Sequence, residues 1–198
     1  MNVSEAIRSR RSIGKVRQTE IPTQSIERIL EAGTWAPNHR MTEPWKFFVH
    51  RGEGRGLLGN ALAEIALEKF EDPGSPEALK AVESARNQPL RAPVIISVAV
   101  TPVDKAGVIE VEEYGAVFAA IQNMLLEIHS LGLGGVWRTG APCFHSKINE
   151  HFGLRPQDKM LGFIYLGEPE VSDLQGKRTP YQEKTVWVDT PEKLEAQE

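Results

Sequence analysis

Residues 112–140 read EEYGAVFAAIQNMLLEIHSLGLGGVWRTG. The part from 114 to 131 is almost wholly apolar on every side of a helical wheel, which predicts a helix buried most of the way round. It is too short and too often interrupted by polar residues to span a bilayer. The glycines at 132, 134 and 135 should end the helix and supply a loose turn. The segment VWRTG at 136–140 would then be presented to a planar anionic ligand; the alternative is a core helix that ends in an ordinary loop.

The composition is that of an ordinary globular chain. Of 198 residues, 40% are hydrophobic and 25% are charged, which suits one domain over 1–198 with a substantial core. The net charge of −4 gives no general attraction to nucleic acid or to an anionic membrane. Because there is one cysteine and no apolar run at the N-terminus, we expect no internal disulfide, no signal peptide and a cytoplasmic protein.

Periodicity and turn residues predict the other elements. The run VIISVAV at 94–100 is continuously apolar, as expected for a strand inside a covered sheet. Further strands are predicted at 46–50 and 160–166. The tail 168–198 is polar apart from an apolar patch at 186–188, so it could be an edge strand or an arm that packs on a partner. Helices are predicted near residues 3–7, 23–33, 56–70, 77–87 and 147–152.

A basic segment follows the first predicted helix. Residues 8–17 contain five cations, with Ser12 among them, but no acid, although the chain is acidic overall. Arginine forks and a serine hydroxyl suit phosphate oxygens, so the segment is a candidate anion site. The alternative is a solvated patch, and without interleaved aromatic residues the case for nucleic acid is weak. Separately, His39 lies beside Trp35 in a proline-bounded loop, where its side chain is free to meet a ligand.

One glycine pattern suggests a dinucleotide-binding turn. The pattern G-x-G-x-x-G lies between a predicted strand and a predicted helix, and it is formed by Gly54, Gly56 and Gly59. A Rossmann-type fold then requires a second parallel strand that ends in an acid. The segment EDPGSP at 71–76 follows the helix instead and is unsuited to that strand. The alternative is a Gly-rich turn from strand to helix.

Cys143 is the candidate for metal or nucleophile chemistry. It lies close in sequence to His145 and His151, but the histidines show no established metal-binding pattern. Nothing in the sequence indicates a group that would lower the pKa of the Cys143 thiol, so a nucleophilic role is weakly supported as well.

Four segments in register resemble the FMN-dependent nitroreductase family, in particular its short bacterial branch, and together they cover nearly the whole chain. They are RRS at 10–12, APNH at 36–39 with EPW at 43–45, LGLGGVWRTG at 131–140 and GKRTP at 176–180. The resemblance implies an α+β fold of three layers, with a central mixed sheet flanked by helices. It also implies an interlocked homodimer with two shared FMN sites, to which the tail 168–198 contributes a dimer arm.

The implied activity is two-electron transfer from NADH or NADPH to nitroaromatic compounds, quinones or related small acceptors. It would follow a ping-pong mechanism through flavin N5. Because the flavin carries the chemistry, neither a catalytic side chain nor a metal is expected. The alternatives are a flavin-binding module with little turnover and, third, a Rossmann-type enzyme that uses the glycine pattern.

The resemblance also assigns roles to individual residues. Arg10 and Ser12 would hold the phosphate and ribityl chain of a tightly bound FMN, with Arg11 beside them. Lys177 and Arg178 would close the phosphate site from the tail. The other implied contacts are made along the isoalloxazine by Trp137, Arg138, Thr139 and Gly140 and from the other subunit by Trp35 and His39.

The chain departs from the family pattern at three points. Glu43 stands where the family often has glutamine before Pro-Trp. Gly14 stands where many members carry a lysine near the pyrimidine edge of the flavin, although Lys15 is next to it. The pocket-forming insertion of larger members is short. The first two departures leave the details of flavin contact open, and the third leaves the acceptor open.

Overall fold

A four-stranded antiparallel sheet forms the centre of the molecule. A computed structural model describes residues 1–172 and 174–191. In spatial order the strands are β1 (Trp45–Arg51), β2 (Val94–Val100), β4 (Lys159–Gly167) and β3 (Gly134–Arg138). The expected mixed sheet is therefore wrong for these strands, which all pair antiparallel. The parallel pairing that the described residues do contain is an isolated bridge between Ser12 and Gly135.

The direction of β2 follows from the two helices before it. Helix α3 (Arg55–Leu67) leaves the end of β1, and α4 (Pro76–Asn87) packs against it and returns. Two helices in succession bring the chain back to the end of the sheet that it left, whereas the single crossover helix of a parallel unit carries it to the other end. This arrangement excludes the Rossmann alternative. The third glycine of the pattern serves helix packing instead, because a Cβ on Gly59 would lie 2.5 Å from the carbonyl oxygen of Arg86.

Helices cover both faces of the sheet. The first face carries α2 (Thr23–Thr34) and α5 (Glu110–Ser130), and the second carries α3, α4 and α6 (Ser146–Phe152). All seven residues of β2 are buried, as predicted, and its side chains alternate between the two apolar clusters. The three-layer α+β arrangement is thus observed, and α1 (Val3–Ser9) packs against α5 outside these layers.

Helix α5 is longer than predicted and is buried on one side only. Its buried residues face the sheet and α2. A strip on the other side is exposed in the single chain, so the chain by itself does not bury the helix most of the way round. The strip consists of Val111, Gly115, Phe118 and Gln122. Within the described part of the chain, no helix is both long and apolar enough to cross a membrane.

The glycines after α5 form less of a turn than predicted. Gly132 ends the helix with a positive φ of 73°. Gly134 and Gly135 belong to strand β3, so the loose turn predicted there is wrong. Close packing explains their use, because a Cβ on Gly134 would lie 2.9 Å from Ile13 and one on Gly135 would lie 3.1 Å from Ile128.

The tail starts with an isolated antiparallel bridge and then exposes apolar side chains. Val16 bridges Pro169, and the backbone N–H of Glu170 donates to the carbonyl of Lys15 at 3.1 Å. Farther on, Trp187 is 77% exposed, between two exposed valines. The remainder of the predicted dimer arm, 173 and 192–198, lies outside the described residues.

Candidate functional site

Three arginines from the two ends of the chain meet near the C-terminal end of α5. Arg10 caps α1, Arg11 follows it, and Arg178 approaches from the tail. The tail crosses directly over Arg11, since a Cβ on Gly176 would overlap the Arg11 guanidinium. We call these three residues the arginine cluster. Lys177 is exposed beside it, and its carbonyl oxygen accepts a hydrogen bond from Nη1 of Arg178 at 2.8 Å.

The arginine cluster is positively charged and has no acidic partner among the residues that the structure describes. Across 1–172 and 174–191, none of its members forms an ion pair. The Nε atoms of Arg10 and Arg11 are buried, yet no described residue supplies them with a hydrogen-bond partner. Burial lowers the pKa of Arg10, and the charges of Arg178 and Arg11 lower it further. Repelling cations with free buried donors favour an anionic ligand, and a phosphate would both neutralise the charge and accept these bonds.

The pKa of His129, near the end of α5, responds to the positive charge of the arginine cluster. Its Nε2 atom lies 2.7 Å from Oγ of Ser9. Burial lowers the pKa of His129 below 6.5, and the charges of Arg10 and Arg11 lower it further, while Glu5 opposes them. The neutral imidazole is therefore favoured by the same cations that would attract a phosphate.

We expect the pKa of His129 to rise when a phosphate binds, because added negative charge offsets the two arginines. A proton NMR titration with and without inorganic phosphate or FMN measures this change. The His151 ring, which lies 3.0 Å from Glu64 on α3, serves as a control whose resonances should not respond to the ligand. A His129 titration curve that is identical with and without ligand would place the phosphate elsewhere.

Strand β3 presents an open edge next to the arginine cluster. Its inner edge pairs with β4, whereas its outer edge is paired, among the described residues, only where Ser12 bridges Gly135. The backbone N–H of Ile13 donates to the carbonyl of Gly135 at 2.9 Å, which places the RRS segment alongside this strand. Beyond Gly135, the backbone of β3 is available to a flat ligand or to a partner.

The two large side chains of β3 lie on opposite faces of the sheet. Trp137 is half-buried, and its Nε1 donates to the carbonyl of Leu161 at 3.1 Å. Arg138 is exposed on the other face, with its guanidinium 5.2 Å from the ring centre of Tyr165. A ligand along the strand edge would therefore meet a half-buried indole on one face and an exposed arginine on the other.

The end of the predicted VWRTG segment turns sharply. Thr139 and Gly140 are exposed after β3. Gly140 has a φ of 123° and a ψ of −179°, a conformation that is essentially limited to glycine. The turn leads into a short helical segment, Ala141–Phe144, that contains the buried Cys143.

The loop over residues 35–43 lies at the other end of α5. Trp35 is 79% exposed. Nδ1 of His39 lies 2.6 Å from Oε2 of Glu112, near the start of α5, whereas the arginine cluster lies near His129. These contacts are 17 residues apart in one helix, which corresponds to about 25 Å at 1.5 Å per residue. The single chain therefore keeps His39 well away from the arginine cluster.

The same loop is held in a strained conformation. Three of its non-glycine residues have positive φ angles between 47° and 62°, namely Arg40, Met41 and Glu43. Each such residue costs on the order of 1–3 kcal/mol. The buried carboxylate of Glu113 offsets this strain by accepting hydrogen bonds from Oγ1 of Thr42 at 2.5 Å and from the N–H of Val103 at 3.4 Å. The loop is thus fixed to α5 with its large side chains facing outwards.

Sequence reasoning missed several residues near these features. Glu112 and Glu113 fix the loop, but acidic residues in the first turn of a helix are common and carried no signal. Arg91, which precedes β2, lines an open groove together with Gly14 and Arg138. An isolated exposed arginine gives no sequence pattern, and only its position before a buried strand could have drawn attention to it.

The Cys143 hypotheses receive no support from the structure. Burial raises the pKa of the Cys143 thiol to about 11, which is the reverse of what a nucleophile needs. His145 and His151 pair with different glutamates of the α3 region, Glu68 and Glu64. No group of residues suited to a metal ion was found in the described part of the chain.

Comparison with known proteins relates this arrangement to one family. Residues 7–168 match the model of the nitroreductase family. The chain is 35% identical over 171 residues to "Putative NAD(P)H nitroreductase YdjA" of Escherichia coli (strain K12), which covers 86% of this chain and 90% of that protein.

Solved structures show the same fold. A nitroreductase-like family protein from Bacillus cereus superposes with a TM-score of 0.82 at 27% identity, covering 96% of this chain and 97% of the other. A relative from Desulfovibrio desulfuricans, solved in complex with FMN, has a TM-score of 0.64 at 28% identity and covers 96% of this chain and 99% of the other.

Proposed function

Since the chain belongs to the nitroreductase family, we propose that it is an FMN-dependent oxidoreductase. It would transfer two electrons from NADH or NADPH to a nitroaromatic compound, a quinone or a related acceptor. The observation that carries the proposal is the arginine cluster, in which two buried Nε atoms lack a hydrogen-bond partner among the described residues. A phosphate is proposed as the partner of both atoms, and the open edge of β3 beside them suits the flat ring of the same molecule.

Different residues would bind different parts of the cofactor. The arginine cluster would hold the phosphate, with Lys177 and the Ser12 hydroxyl near it. The edge of β3 would support the ring, and Arg138 would place a positive charge beside it. Bound in this way, FMN would supply the redox chemistry, and the residues named here would hold it and place charge beside its ring.

The overall reaction balances without an acid or base from the protein. With a quinone, NAD(P)H and one proton yield NAD(P)+ and the hydroquinone. With a nitroaromatic compound, the same reductant and proton yield the nitroso compound, NAD(P)+ and water. The side chains would bind and orient the cofactor and the acceptor, which fits a site whose most prominent groups are cations and an indole.

The site would be shared between two copies of the chain. The exposed strip on α5 and the exposed apolar side chains of the tail are surfaces that a second copy would cover. In such a homodimer the 35–43 loop of one chain would reach the cofactor held by the other, with the tail as the dimer arm. The roughly 25 Å between this loop and the arginine cluster within one chain supports this arrangement.

We expect the purified protein to be yellow and to release FMN, not FAD, on heating. Arg10→Ala should weaken FMN binding about 10- to 100-fold, the loss typical of a hydrogen bond to a charged group at about 1.5–3 kcal/mol. Arg8→Ala is the matched control, because Arg8 is an exposed neighbour on α1. Absorption spectra and titration of the apoprotein with FMN measure both. A colourless protein that fails to take up FMN would contradict the proposed function.

Steady-state kinetics separate an enzyme from the flavin-binding module. With FMN bound, an enzyme should oxidise NADH or NADPH rapidly when a nitroaromatic compound or a quinone is present. A module would show only slow oxidation by dioxygen, with no stimulation by either acceptor. Parallel initial-rate lines at several acceptor concentrations would support the ping-pong mechanism.

Arg138→Ala should make the reduction potential of the bound flavin more negative and slow turnover. The physical reason is the loss of one charged donor beside a ring that gains negative charge on reduction, at a cost of at most about 2–4 kcal/mol. Arg138→Lys keeps the charge and should retain most of the effect. If Arg138→Ala leaves the potential, the FMN affinity and the turnover at parent values, Arg138 is only a surface charge.

A further inference from the structure

A second cationic site lies beside Gly14, separate from the arginine cluster. It is an open groove of about 600 Å³ lined by Gly14, Lys15, Val16, Arg91, Arg138 and Glu170. We call it the cationic groove. It contains three cations and one acid, and no ion pair within the described ranges involves any of its charged residues. The groove therefore has a net positive charge that attracts an anion.

Two arginines reach the groove from different elements. Arg138 comes from the end of β3 and lies over Tyr165, while Arg91 comes from the turn Gln88–Arg91 before β2. Burial raises the pKa of the Tyr165 hydroxyl, and the charges of Arg138 and Arg91 both oppose this rise. Both arginines thus act on the same small region above the sheet.

Gly14 has no side chain, and this leaves room for the guanidinium of Arg138. A Cβ on Gly14 would lie 3.2 Å from Nη2 of Arg138, closer than ordinary van der Waals contact. A longer side chain at this position would compete with the guanidinium for the groove. Positive charge therefore reaches this point through Arg138 of β3 and Arg91 of the turn before β2, and not from residue 14 itself.

The cationic groove and the arginine cluster suit two ends of one ligand. The segment from Arg10 to Lys15 runs along the outside of β3 and bridges it at Ser12. At about 3.3 Å per residue, an extended segment of this length spans roughly 16 Å. A molecule with a phosphate at one end and an electron-rich ring edge at the other would contact both sites.

We propose that Arg91 is a further cofactor-site residue that, together with Arg138, stabilises the negative charge which a bound flavin gains on reduction. The proposal rests on the proposed function in taking FMN as the cofactor. Arg91 would bind the reduced form more tightly than the oxidised form, and so set the reduction potential. The phosphate at the other end would depend on the arginine cluster and not on Arg91.

The test compares the affinities of oxidised and reduced FMN in the full-length protein. Arg91→Ala should weaken the binding of reduced FMN about tenfold relative to oxidised FMN, which equals a potential about 30 mV more negative for a two-electron couple. Arg91→Lys should restore most of this shift. Arg86→Ala is the matched control, because Arg86 is an exposed arginine on the preceding helix that contacts Asn60. Potentials are measured by equilibrium dye titration, independently of turnover.

The possible results are distinguishable. A parent protein that binds no FMN overturns the proposed function and this proposal with it. A parent that binds FMN, with an Arg91→Ala potential equal to that of Arg86→Ala, overturns the role of Arg91 alone. An unchanged potential with a raised KM for NADPH but not for NADH would also overturn it, because the groove would then bind a phosphate of the dinucleotide. Since Arg91 is exposed, folding should survive, and Arg91→Gln provides a second neutral variant.

Discussion

Activity should return when two defective chains are allowed to exchange subunits. One chain carries Arg10→Ala and Arg11→Ala, and the other carries Trp35→Ala and His39→Ala. In a mixed dimer with shared sites, one site collects both lesions while the other is intact. Each mixed dimer should then show about half of the parent activity, although each variant alone is nearly inactive.

The reason lies in the geometry of α5. Within one chain, the helix holds the His39 side chain and the arginine cluster roughly 25 Å apart, so a single cofactor that contacts both must use two chains. If the interface is of the obligate class, it buries roughly 2,000 Å² or more, and dissociation should release FMN. Mass spectrometry confirms that mixed dimers have formed.

Two results would contradict the shared site. Mixed dimers without activity would mean that the 35–43 loop serves its own chain or does not touch the cofactor. A stable, yellow and active monomer in light scattering would exclude a two-chain site altogether. The matched control mixes the Arg10→Ala, Arg11→Ala chain with a chain that carries all four changes. No dimer in that mixture contains an intact site.

Gly162→Ala should destabilise the protein strongly, because residue 162 has no room for a side chain. A Cβ there would overlap Nε1 of Trp137 and lie 2.7 Å from the carbonyl oxygen of Arg138. The φ of 147° is also unfavourable for alanine. Strain and overpacking together should cost about 3 kcal/mol or more, which would lower the melting temperature by roughly 6–12 °C for a chain of this size.

The measurement is thermal unfolding followed by circular dichroism, with FMN affinity determined in parallel. The matched control is Gly56→Ala in α3, where an added Cβ meets nothing within 4 Å. This control should change the unfolding free energy by no more than about 1 kcal/mol. Equal melting temperatures for the two variants would mean that Trp137 can leave its position against β4 at little cost.

The sequence predicted the elements that have a clear pattern of apolar residues. Strand β2 was identified from its continuous apolar run, and α5 from its length and apolar character. Strand β3 was missed because Gly134 and Gly135 have low strand propensity, and only their close contacts with Ile13 and Ile128 explain them. The antiparallel sheet was missed because strand direction depends on how the connecting helices return.

The candidate site also contains some residues that the sequence predicted and others that only the fold brings together. The basic segment indicated an anion site and the family resemblance added the tail motif to it, and the structure brings Arg10, Arg11 and Arg178 together. The support of the 35–43 loop by Glu113 depends on backbone angles that no composition reveals. Arg91 is close to Arg138 only because β2 and β3 flank β4 in the sheet. Contacts of this kind arise from topology, so a linear motif does not contain them.

The open edge of β3 is a site at which the protein could aggregate. An unpaired strand edge is a template onto which another chain can add a strand, and natural proteins usually cover or interrupt such edges. If a cofactor and a second subunit provide the cover here, their loss exposes a backbone that can recruit its own copies. Starvation for the cofactor would then appear first as aggregation of otherwise folded molecules, while the helices remain intact.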